Sequence, residues 1–199
     1  GDEGYALEVT PKVVSITAAK CAGLFYGIQT LCQLLPAKPE NGKIEYPIPC
    51  VTIEDTPRFS WRGYMLDSSR HFITKKTILK LLDALAMLKI NVFHWHIVDD
   101  QAWRLEIPKY PRLVQPVAGS KNALSQAEGY YSVAEVSEIV NHAKRLHITI
   151  VPEIEMPSHA TQAATVITEG ICLGADGRPL PPGATREICL GSDKAMAEL

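Results

Sequence analysis

Residues 75–104, KKTILKLLDALAMLKINVFHWHIVDDQAWR, contain a helix pattern, a strand pattern and a polar cluster in direct succession. In the first part, apolar residues recur at helical spacing and define one face, made of Ile78, Leu81, Leu82, Leu85 and Leu88. The following stretch, NVFHWHIV, is rich in aromatic and β-branched residues, which is typical of a buried strand. Helices that alternate with buried strands predict a parallel α/β sheet or barrel.

The same pattern extends to both sides of this stretch. WRGYMLD, residues 61–67, predicts a preceding strand, and ITIVPEIE, residues 148–155, predicts a third. Between them, Ser132 and Glu135 form a capping-box pattern at the start of a helix that continues to Leu146. We therefore predict three strand-helix steps of a parallel architecture.

The amino-terminal part has a different pattern. YALEVTPKVVSIT, residues 5–17, alternates apolar and polar residues around a turn at Thr10 and Pro11, as a hairpin does. GLFYGIQTLCQLL, residues 23–35, predicts a helix that ends at Pro36, and residues 36–47 read as a connection. We predict a small α+β unit over residues 1–47 and the parallel α/β unit over residues 48–199.

Composition excludes several classes of protein. The chain has 199 residues, 46% apolar composition and a formal net charge of −2, so it lacks the basic character of a nucleic-acid binder. No apolar run approaches the roughly 18 residues of a membrane span, and the first residues show no signal-peptide pattern. Five scattered cysteines do not form a disulfide scaffold, the odd count leaves at least one thiol free, and no C-x-x-C pair suggests zinc.

Polar clusters end each of the three predicted strands: DSSRH at 67–71, DDQAWR at 99–104 and EIEMPSH at 153–159. In a parallel barrel the active site lies at the carboxyl ends of the strands, so we expect these clusters to share one rim. Asp99 and Asp100 are adjacent, and their side chains should point to opposite faces rather than form a facing acid pair. At most one of them should enter a site, and either could cap the following loop.

Two further side chains are candidates for binding or catalysis. Arg70 offers a planar fork that suits vicinal hydroxyls or a carboxylate, or it forms a salt bridge to Asp67 or Asp99. His159 could orient, or share a proton with, a neighbouring carboxylate, or it could be a surface histidine.

The histidines and tryptophans of the second strand region allow several interpretations. His94 and His96 lie on one strand face, either as hydrogen-bonded packing groups or, with His159, as ligands of a metal-dependent barrel hydrolase. Trp95, inside the strand, is expected in the core, whereas Trp103 could be core or a platform for stacking a sugar.

The three clusters, in this order and spacing, resemble glycoside hydrolase family 20, the β-N-acetylhexosaminidases. The resemblance lies in WRGYMLDSSRHF, NVFHWHIVDDQAWR and YYSVAEVSEIVNHAKRLHITIVPEIEMPSHA, and residues 4–35 are similar to the end of the family's accessory domain. It implies the first three strand-helix units of a TIM (β/α)8 barrel, preceded by part of a small α+β accessory domain. It also implies an exo-acting, retaining hydrolase of glycans ending in N-acetylglucosamine or N-acetylgalactosamine, without a metal or other cofactor. A secreted, periplasmic or lysosomal location is then expected rather than the cytosol.

The resemblance implies roles for individual residues. Arg70 corresponds to the arginine that binds the O3 and O4 hydroxyls of the terminal sugar, while Asp99 and His159 correspond to a network that supports the catalytic acid. Trp103 and Glu155 are further candidates near the site. Glu155 and Ser158 depart from the family, which commonly has aspartate and glycine at these positions.

In the family, the sugar's own acetamide attacks the anomeric carbon, assisted by an adjacent Asp-Glu pair after the fourth barrel strand. The sequence contains Asp-Glu only in Gly1-Asp2-Glu3, which precedes the predicted hairpin and receives no catalytic role. We therefore expect a truncated barrel that is inactive alone and that self-associates to bury an open edge. A non-catalytic carbohydrate-binding chain using Arg70 and Trp103 is the remaining alternative.

Overall fold

A computed structural model describes residues 1–36, 47–118, 122–166, 171–178 and 187–194. The strands are β1 (Tyr5–Val9), β2 (Val14–Ala18), β3 (Val51–Asp55), β4 (Gly63–Asp67), β5 (Val92–Val98) and β6 (Thr149–Ile154). The helices are α1 (Cys21–Leu34), α2 (Lys75–Met87), α3 (Ala123–Ala127), α4 (Val133–Arg145) and α5 (Thr161–Val166), with a 3-10 turn at Pro111–Val114. Among the described helices, none combines the length and apolarity needed to cross a membrane.

The first unit is an antiparallel sheet in the order β2-β1-β3, packed against α1. Along β1 the buried residues are Tyr5, Leu7 and Val9, because successive side chains of a strand point to opposite faces. Helix α1 lies close to the sheet at Gly27, where an added Cβ would stand 2.5 Å from the Ile16 side chain. The predicted hairpin and helix are confirmed.

The boundary between the two units differs from the expected one. Strand β3, residues Val51–Asp55, pairs with β1 in the register Tyr5↔Asp55 and Val9↔Val51. The predicted boundary at residue 48 places these residues in the parallel unit, but their partner is the hairpin strand β1. The described structure thus changes from the first sheet to the second between Asp55 and Gly63, and most of the predicted connection at 36–47 lies outside the described residues.

The second unit contains the predicted parallel sheet, in the order β4-β5-β6. Its register aligns Asp67 with His96 and His96 with Glu153 at the carboxyl ends of the strands. Helix α2 buries Ile78, Leu82 and Leu85, whereas Leu88, which was predicted on the same face, is 71% exposed because it lies at the C-cap.

Helix α4 begins with the predicted capping box. The Ser132 Oγ accepts the Glu135 N–H at 3.2 Å, and Glu135 Oε2 accepts the Ser132 N–H at 3.1 Å. These bonds satisfy two backbone donors that the helix itself leaves unpaired. They fix the start of the helix that precedes β6.

Charged side chains join the two units at the amino ends of the parallel strands. The Glu3 carboxylate accepts hydrogen bonds from Arg62 Nη1 at 2.8 Å, Asn91 Nδ2 at 3.0 Å and the Tyr26 hydroxyl at 3.3 Å. Since Arg62 and Asn91 directly precede β4 and β5, Glu3 lies at the end of the sheet opposite the polar clusters. The acids of Gly1-Asp2-Glu3 therefore stand away from the rim, as expected.

Candidate active site

The predicted site residues meet at the carboxyl ends of the parallel strands. Arg70 follows β4, Asp99 follows β5 and His159 follows β6. Arg70 Nη2 lies 2.6 Å from Asp99 Oδ2, and His159 Nδ1 lies 3.2 Å from Asp99 Oδ1. One carboxylate therefore links an arginine and a histidine from the two outer strands of the described sheet.

Asp99 is the buried centre of this group. Its side chain is 1% exposed, whereas those of Arg70 and His159 are 44% and 52% exposed. His96 Nε2 lies 3.0 Å from Asp99 Oδ2, and the Asp100 N–H donates to Asp99 Oδ1 at 2.6 Å. A buried carboxylate is costly unless cations and hydrogen-bond donors compensate its charge, and these neighbours provide both.

Arg70 is held between two carboxylates, so both salt bridges that the sequence suggested are present. Its Nη1 donates to Asp67 Oδ2 at 2.7 Å, while Asp67 Oδ1 accepts the backbone N–H groups of Ser69 and Arg70, each at 3.0 Å. Partial burial alone would raise the pKa of Asp67, but the Arg70 N–H and guanidinium outweigh it and lower that pKa. The result is a fixed guanidinium with an exposed edge.

The prediction that Asp99 and Asp100 point to opposite faces, with at most one of them in the site, is wrong: both acids lie beyond the end of β5, where strand alternation no longer applies, and both approach His159 Nδ1. Asp100 Oδ1 accepts the Thr161 hydroxyl at 2.5 Å and the Thr161 N–H at 3.3 Å, at the start of α5. Its Oδ2 lies 3.5 Å from His159 Nδ1. Asp100 therefore connects α5 to the histidine that Asp99 also contacts.

The loop that carries His159 is anchored by a second segment. The Ile188 N–H donates to the Pro157 carbonyl at 3.0 Å, and the Ser158 hydroxyl donates to Glu187 Oε1 at 3.1 Å. His159 itself has a positive φ of 54°, a conformation that non-glycine residues adopt only at specific positions. Ser158, one of the two departures from the family, thus uses its hydroxyl to hold the loop.

A second polar group lines the same strand ends. His94 and His96 lie on one face of β5, as predicted, and both contact Glu153 across the sheet; the His96 Nδ1 to Glu153 Oε1 distance is 3.0 Å. His96 is buried and His94 is partly exposed. Glu153 was missed in the sequence, although its register opposite His96 follows from three parallel strands of matched length.

Glu153 and Glu155 share one hydrogen bond and titrate in opposite directions. The bond from Glu155 lowers the pKa of Glu153, with further lowering from His96 and His94. The same bond raises the pKa of Glu155, and partial burial and the Glu153 charge raise it further. Glu155 is therefore the member of the pair that loses its proton at the higher pH.

The metal-site alternative does not take the predicted form. Among the described residues, the groups with ligand atoms close enough to share an ion are His96 with Glu153 and Glu155, and Asp99 with Asp100 and His159. His96 and His159 belong to different groups, and His94 to neither. The predicted ligand set of His94, His96 and His159 is therefore wrong for this structure, because the ring nitrogens of the three histidines do not come close enough together to share one ion.

Trp103 does not offer a surface for stacking a sugar. It is 8% exposed, its Nε1–H donates to the Leu105 carbonyl at 2.6 Å, and its N–H donates to Gln126 Oε1 at 2.8 Å. The candidate stacking role is thus corrected to a core role. Trp95 lies in the core as predicted, with its Nε1–H donating to Ser68 Oγ at 2.9 Å.

Arg104, which sequence reasoning also missed, supports the loop that carries Arg70. The side chain is fully buried. Its guanidinium donates to the carbonyls of Ser68 and Ser69, and to groups of the 125–129 segment, namely Ser125 O, Gly129 O and Glu128 Oε2. One arginine therefore fixes the backbone between Asp67 and Arg70.

Parallel strands with a carboxylate, arginine and histidine at their carboxyl ends define part of a barrel-type hydrolase. Comparison with protein families gives the same class. Residues 59–194 match the catalytic domain of glycosyl hydrolase family 20, and residues 1–56 match domain 2 of that family. The chain belongs to glycoside hydrolase family 20, and its second sheet forms the first three strands of the family's TIM barrel.

Curated and solved relatives agree with this assignment. The β-hexosaminidase of Porphyromonas gingivalis is 42% identical over 203 residues, which cover 98% of this chain and 26% of the relative. A crystal structure of the β-N-acetylhexosaminidase from Bacteroides fragilis has 37% identity and a TM-score of 0.84, covering 100% of this chain and 38% of that one. The Vibrio harveyi exo β-N-acetylglucosaminidase, solved with N-acetylglucosamine, has 27% identity and a TM-score of 0.82, covering 100% and 33%. The chain thus spans between about a quarter and two fifths of these relatives.

Proposed function

We propose that this chain supplies the sugar-binding arginine and the histidine-carboxylate network of an exo-acting, retaining β-N-acetylhexosaminidase. The observation that carries the proposal is the convergence of Arg70 and His159 on buried Asp99, while both side chains remain about half exposed. Asp99 holds the arginine and the imidazole in place, and the exposed parts of both side chains can contact a ligand at the strand ends.

Arg70 has the geometry to bind a pair of sugar hydroxyls. Asp67 and Asp99 occupy one donor on each terminal nitrogen, and the guanidinium keeps further N–H donors for a ligand. Because the carboxylates hold the fork in place, little side-chain freedom is lost when a sugar binds. We assign Arg70 to the O3 and O4 hydroxyls of a terminal N-acetylhexosamine.

His159 is oriented for proton transfer through its second nitrogen. Asp99 lies beside Nδ1, which leaves Nε2 to interact with a catalytic acid or the substrate. A carboxylate that orients a histidine also stabilises its protonated form, and the imidazole in turn adjusts the proton affinity of the acid it contacts. Glu155, whose pKa is raised by its hydrogen bond with Glu153, remains a further candidate for contact with the site.

The chemistry of the family also requires an Asp-Glu pair beside the acetamide. The sequence has this pair only at Asp2-Glu3, and Glu3 is held by Arg62, Asn91 and Tyr26 at the opposite end of the sheet. We therefore propose that the 199-residue chain alone does not hydrolyse N-acetylhexosaminides. Turnover of 4-nitrophenyl N-acetyl-β-D-glucosaminide by the purified chain, free of other glycosidases, would contradict this.

The decisive experiment uses the complete natural protein that contains this chain. We expect it to release 4-nitrophenol from the same substrate with retention at the anomeric carbon. Arg70→Ala should reduce kcat/KM by about 100-fold or more, since charge-assisted hydrogen bonds to two hydroxyls are lost. Arg112→Ala, a matched change at an exposed position, should leave activity unchanged. A protein inactive on N-acetylhexosaminides, or an Arg70→Ala variant with full activity, would refute the proposal.

We further propose that the isolated chain self-associates through its second sheet, with a second copy as the partner. Strands β4 and β6 are the outer strands of the described sheet, Tyr64 and Met65 are exposed on β4, and a mainly apolar groove of about 650 Å³ runs beside β6. Exposed strand edges and apolar patches of this kind favour association. Light scattering that shows a monomer even when the protein is concentrated would contradict this expectation.

We also keep the prediction that the protein is secreted, periplasmic or lysosomal, since it would degrade glycans.

A further inference from the structure

Two cysteines lie next to each other beside the loop that carries His159. Ile171 and Ile188 form an antiparallel bridge, and the Cys172 N–H donates to the Glu187 carbonyl at 2.9 Å. This pairing brings the half-buried side chains of Cys172 and Cys189 within hydrogen-bonding reach of each other. The two free thiols are thus neighbours in space although they are far apart in the chain.

We propose that Cys172 and Cys189 are a redox-active pair that closes to a disulfide and locks the His159 loop. The segment that carries Cys189 also holds that loop, because Ile188 donates to the Pro157 carbonyl at 3.0 Å and Glu187 accepts from the Ser158 hydroxyl at 3.1 Å. A covalent link between Cys172 and Cys189 would prevent this segment from separating from its partner strand. The inference concerns thiols outside the proposed sugar site and does not depend on glycoside hydrolysis.

The reaction is a thiol-disulfide exchange with a small-molecule disulfide such as oxidised glutathione. One cysteine, as the thiolate, attacks the disulfide and releases one glutathione thiol; the second cysteine then attacks the mixed disulfide and releases the other. The protein pair is oxidised by two electrons, the glutathione disulfide is reduced to two thiols, and the cysteine protons pass to the released thiolates. Partial burial and the neighbouring Cys189 raise the pKa of the Cys172 thiol, so the exchange should accelerate as the pH rises.

The sequence provides a direct assay for this link. Trypsin cleaves after Arg145, Arg186 and Lys194, and Arg178 is followed by proline, so Cys172 and Cys189 fall on separate peptides, 146–186 and 187–194. After the folded 199-residue chain is incubated with oxidised glutathione and remaining thiols are alkylated, we expect these peptides to be joined and to separate on reduction. Glutathione attached separately to both cysteines, or a link from either one to Cys21, Cys32 or Cys50, would overturn the proposal.

Variants test whether the pairing is specific. In Cys172→Ser, Cys189 has no partner and should keep glutathione as a mixed disulfide, and Cys189→Ser should show the converse. Cys32→Ser, at an exposed position on α1, should form the 172–189 link at the unchanged rate. A joined peptide pair that depends on Cys32 would contradict the proposed neighbour contact.

Hydrogen exchange tests the lock itself. Oxidation should slow exchange of the Ile188 amide and of the amides of Met156, Ser158, His159 and Ala160 severalfold, because local opening of the paired segments becomes restricted. Exchange in α1, which packs on the first sheet, should not change. Equal protection of Ile188 and of those four loop residues in the reduced and oxidised chains would refute the lock even if the disulfide forms.

Discussion

Arg70 Nη1 donates to Asp67 Oδ2 at 2.7 Å, and Asp67 Oδ1 accepts the Arg70 backbone N–H at 3.0 Å. The same carboxylate therefore fixes both the backbone and the guanidinium of the proposed sugar-binding residue. Asp67 could affect the proposed sugar binding without contacting the sugar, because it fixes the position of the Arg70 guanidinium.

Asp67→Asn should weaken substrate binding more than it slows chemistry. The amide oxygen can still accept the backbone N–H groups, but the charge-assisted bond to Arg70 is lost, and Arg70 becomes less ordered. In the complete natural protein we expect KM to rise about three- to tenfold, because the bond is partly exposed, with a smaller change in kcat. Steady-state kinetics on a chromogenic N-acetylglucosaminide measures both constants.

Asp176→Asn is the matched control for this change. Asp176 also accepts a nearby backbone N–H, from Arg178 at 3.1 Å, but it lies on an exposed loop. It should leave KM and kcat unchanged. If Asp67→Asn lowered kcat alone and left KM as it was, a role in placing Arg70 for binding would be wrong.

Arg104→Met should destabilise the chain strongly. The guanidinium bonds to four backbone carbonyls and to Glu128 while fully buried, so methionine leaves several acceptors without donors. We expect the free energy of unfolding to fall by about 3 kcal/mol. Chemical denaturation measures the change, and Arg112→Met, at an exposed position, should be close to neutral. An equally stable Arg104→Met variant would show that water replaces these bonds.

The sequence predicts the rim of the site better than its supports. The strand ends that carry Arg70, Asp99 and His159 follow from the alternation of strands and helices, since parallel strands bring their carboxyl ends to one edge. The roles of Arg104 and Trp103 do not follow from this alternation. Their burial depends on contacts with the 122–131 segment, and the sequence between has no regular pattern that would predict those contacts.

The same reason explains why the sequence does not predict the partner of β3 or the proximity of two cysteines. VTIED alternates as a strand does, but only the tertiary fold selects β1 rather than β4 as its neighbour. Cys172 and Cys189 are likewise brought together by an isolated bridge between Ile171 and Ile188. No periodic pattern in the sequence predicts that bridge. Long-range pairing, not local propensity, decided each of these positions.

Glu3→Gln should reduce stability more at neutral pH than in acid. Partial burial would raise the pKa of Glu3, but hydrogen bonds from Arg62 and Asn91 outweigh it and lower that pKa below 4.5. Because the folded-state pKa is depressed, the stabilisation is present above the unfolded pKa and is lost as the pH falls through the folded pKa. We expect a loss of about 1 kcal/mol at pH 7, from denaturation curves, and a smaller one near pH 3. An equal loss at both pH values would contradict an ionic role for Glu3.

Glu155→Gln should make the chain less sensitive to rising pH. The hydrogen bond with Glu153 raises the pKa of Glu155 above 4.5, so the folded state retains this proton longer than the unfolded state does. The associated stabilisation is present below the unfolded pKa and is lost as the pH rises through the folded pKa. Glutamine donates a hydrogen bond as the protonated acid does but cannot ionise. The variant should therefore match the stability of the parent chain in acid and exceed it at a pH above the folded-state pKa of Glu155.

Glu153→Gln is the contrasting change. It removes the carboxylate that His94 and His96 contact and should lower stability near neutral pH. Denaturation midpoints measured between pH 4 and 8 distinguish the two variants. A Glu155→Gln variant that is less stable than the parent chain at pH 7 would contradict the prediction, because it would show that the ionised Glu155 carboxylate stabilises the fold.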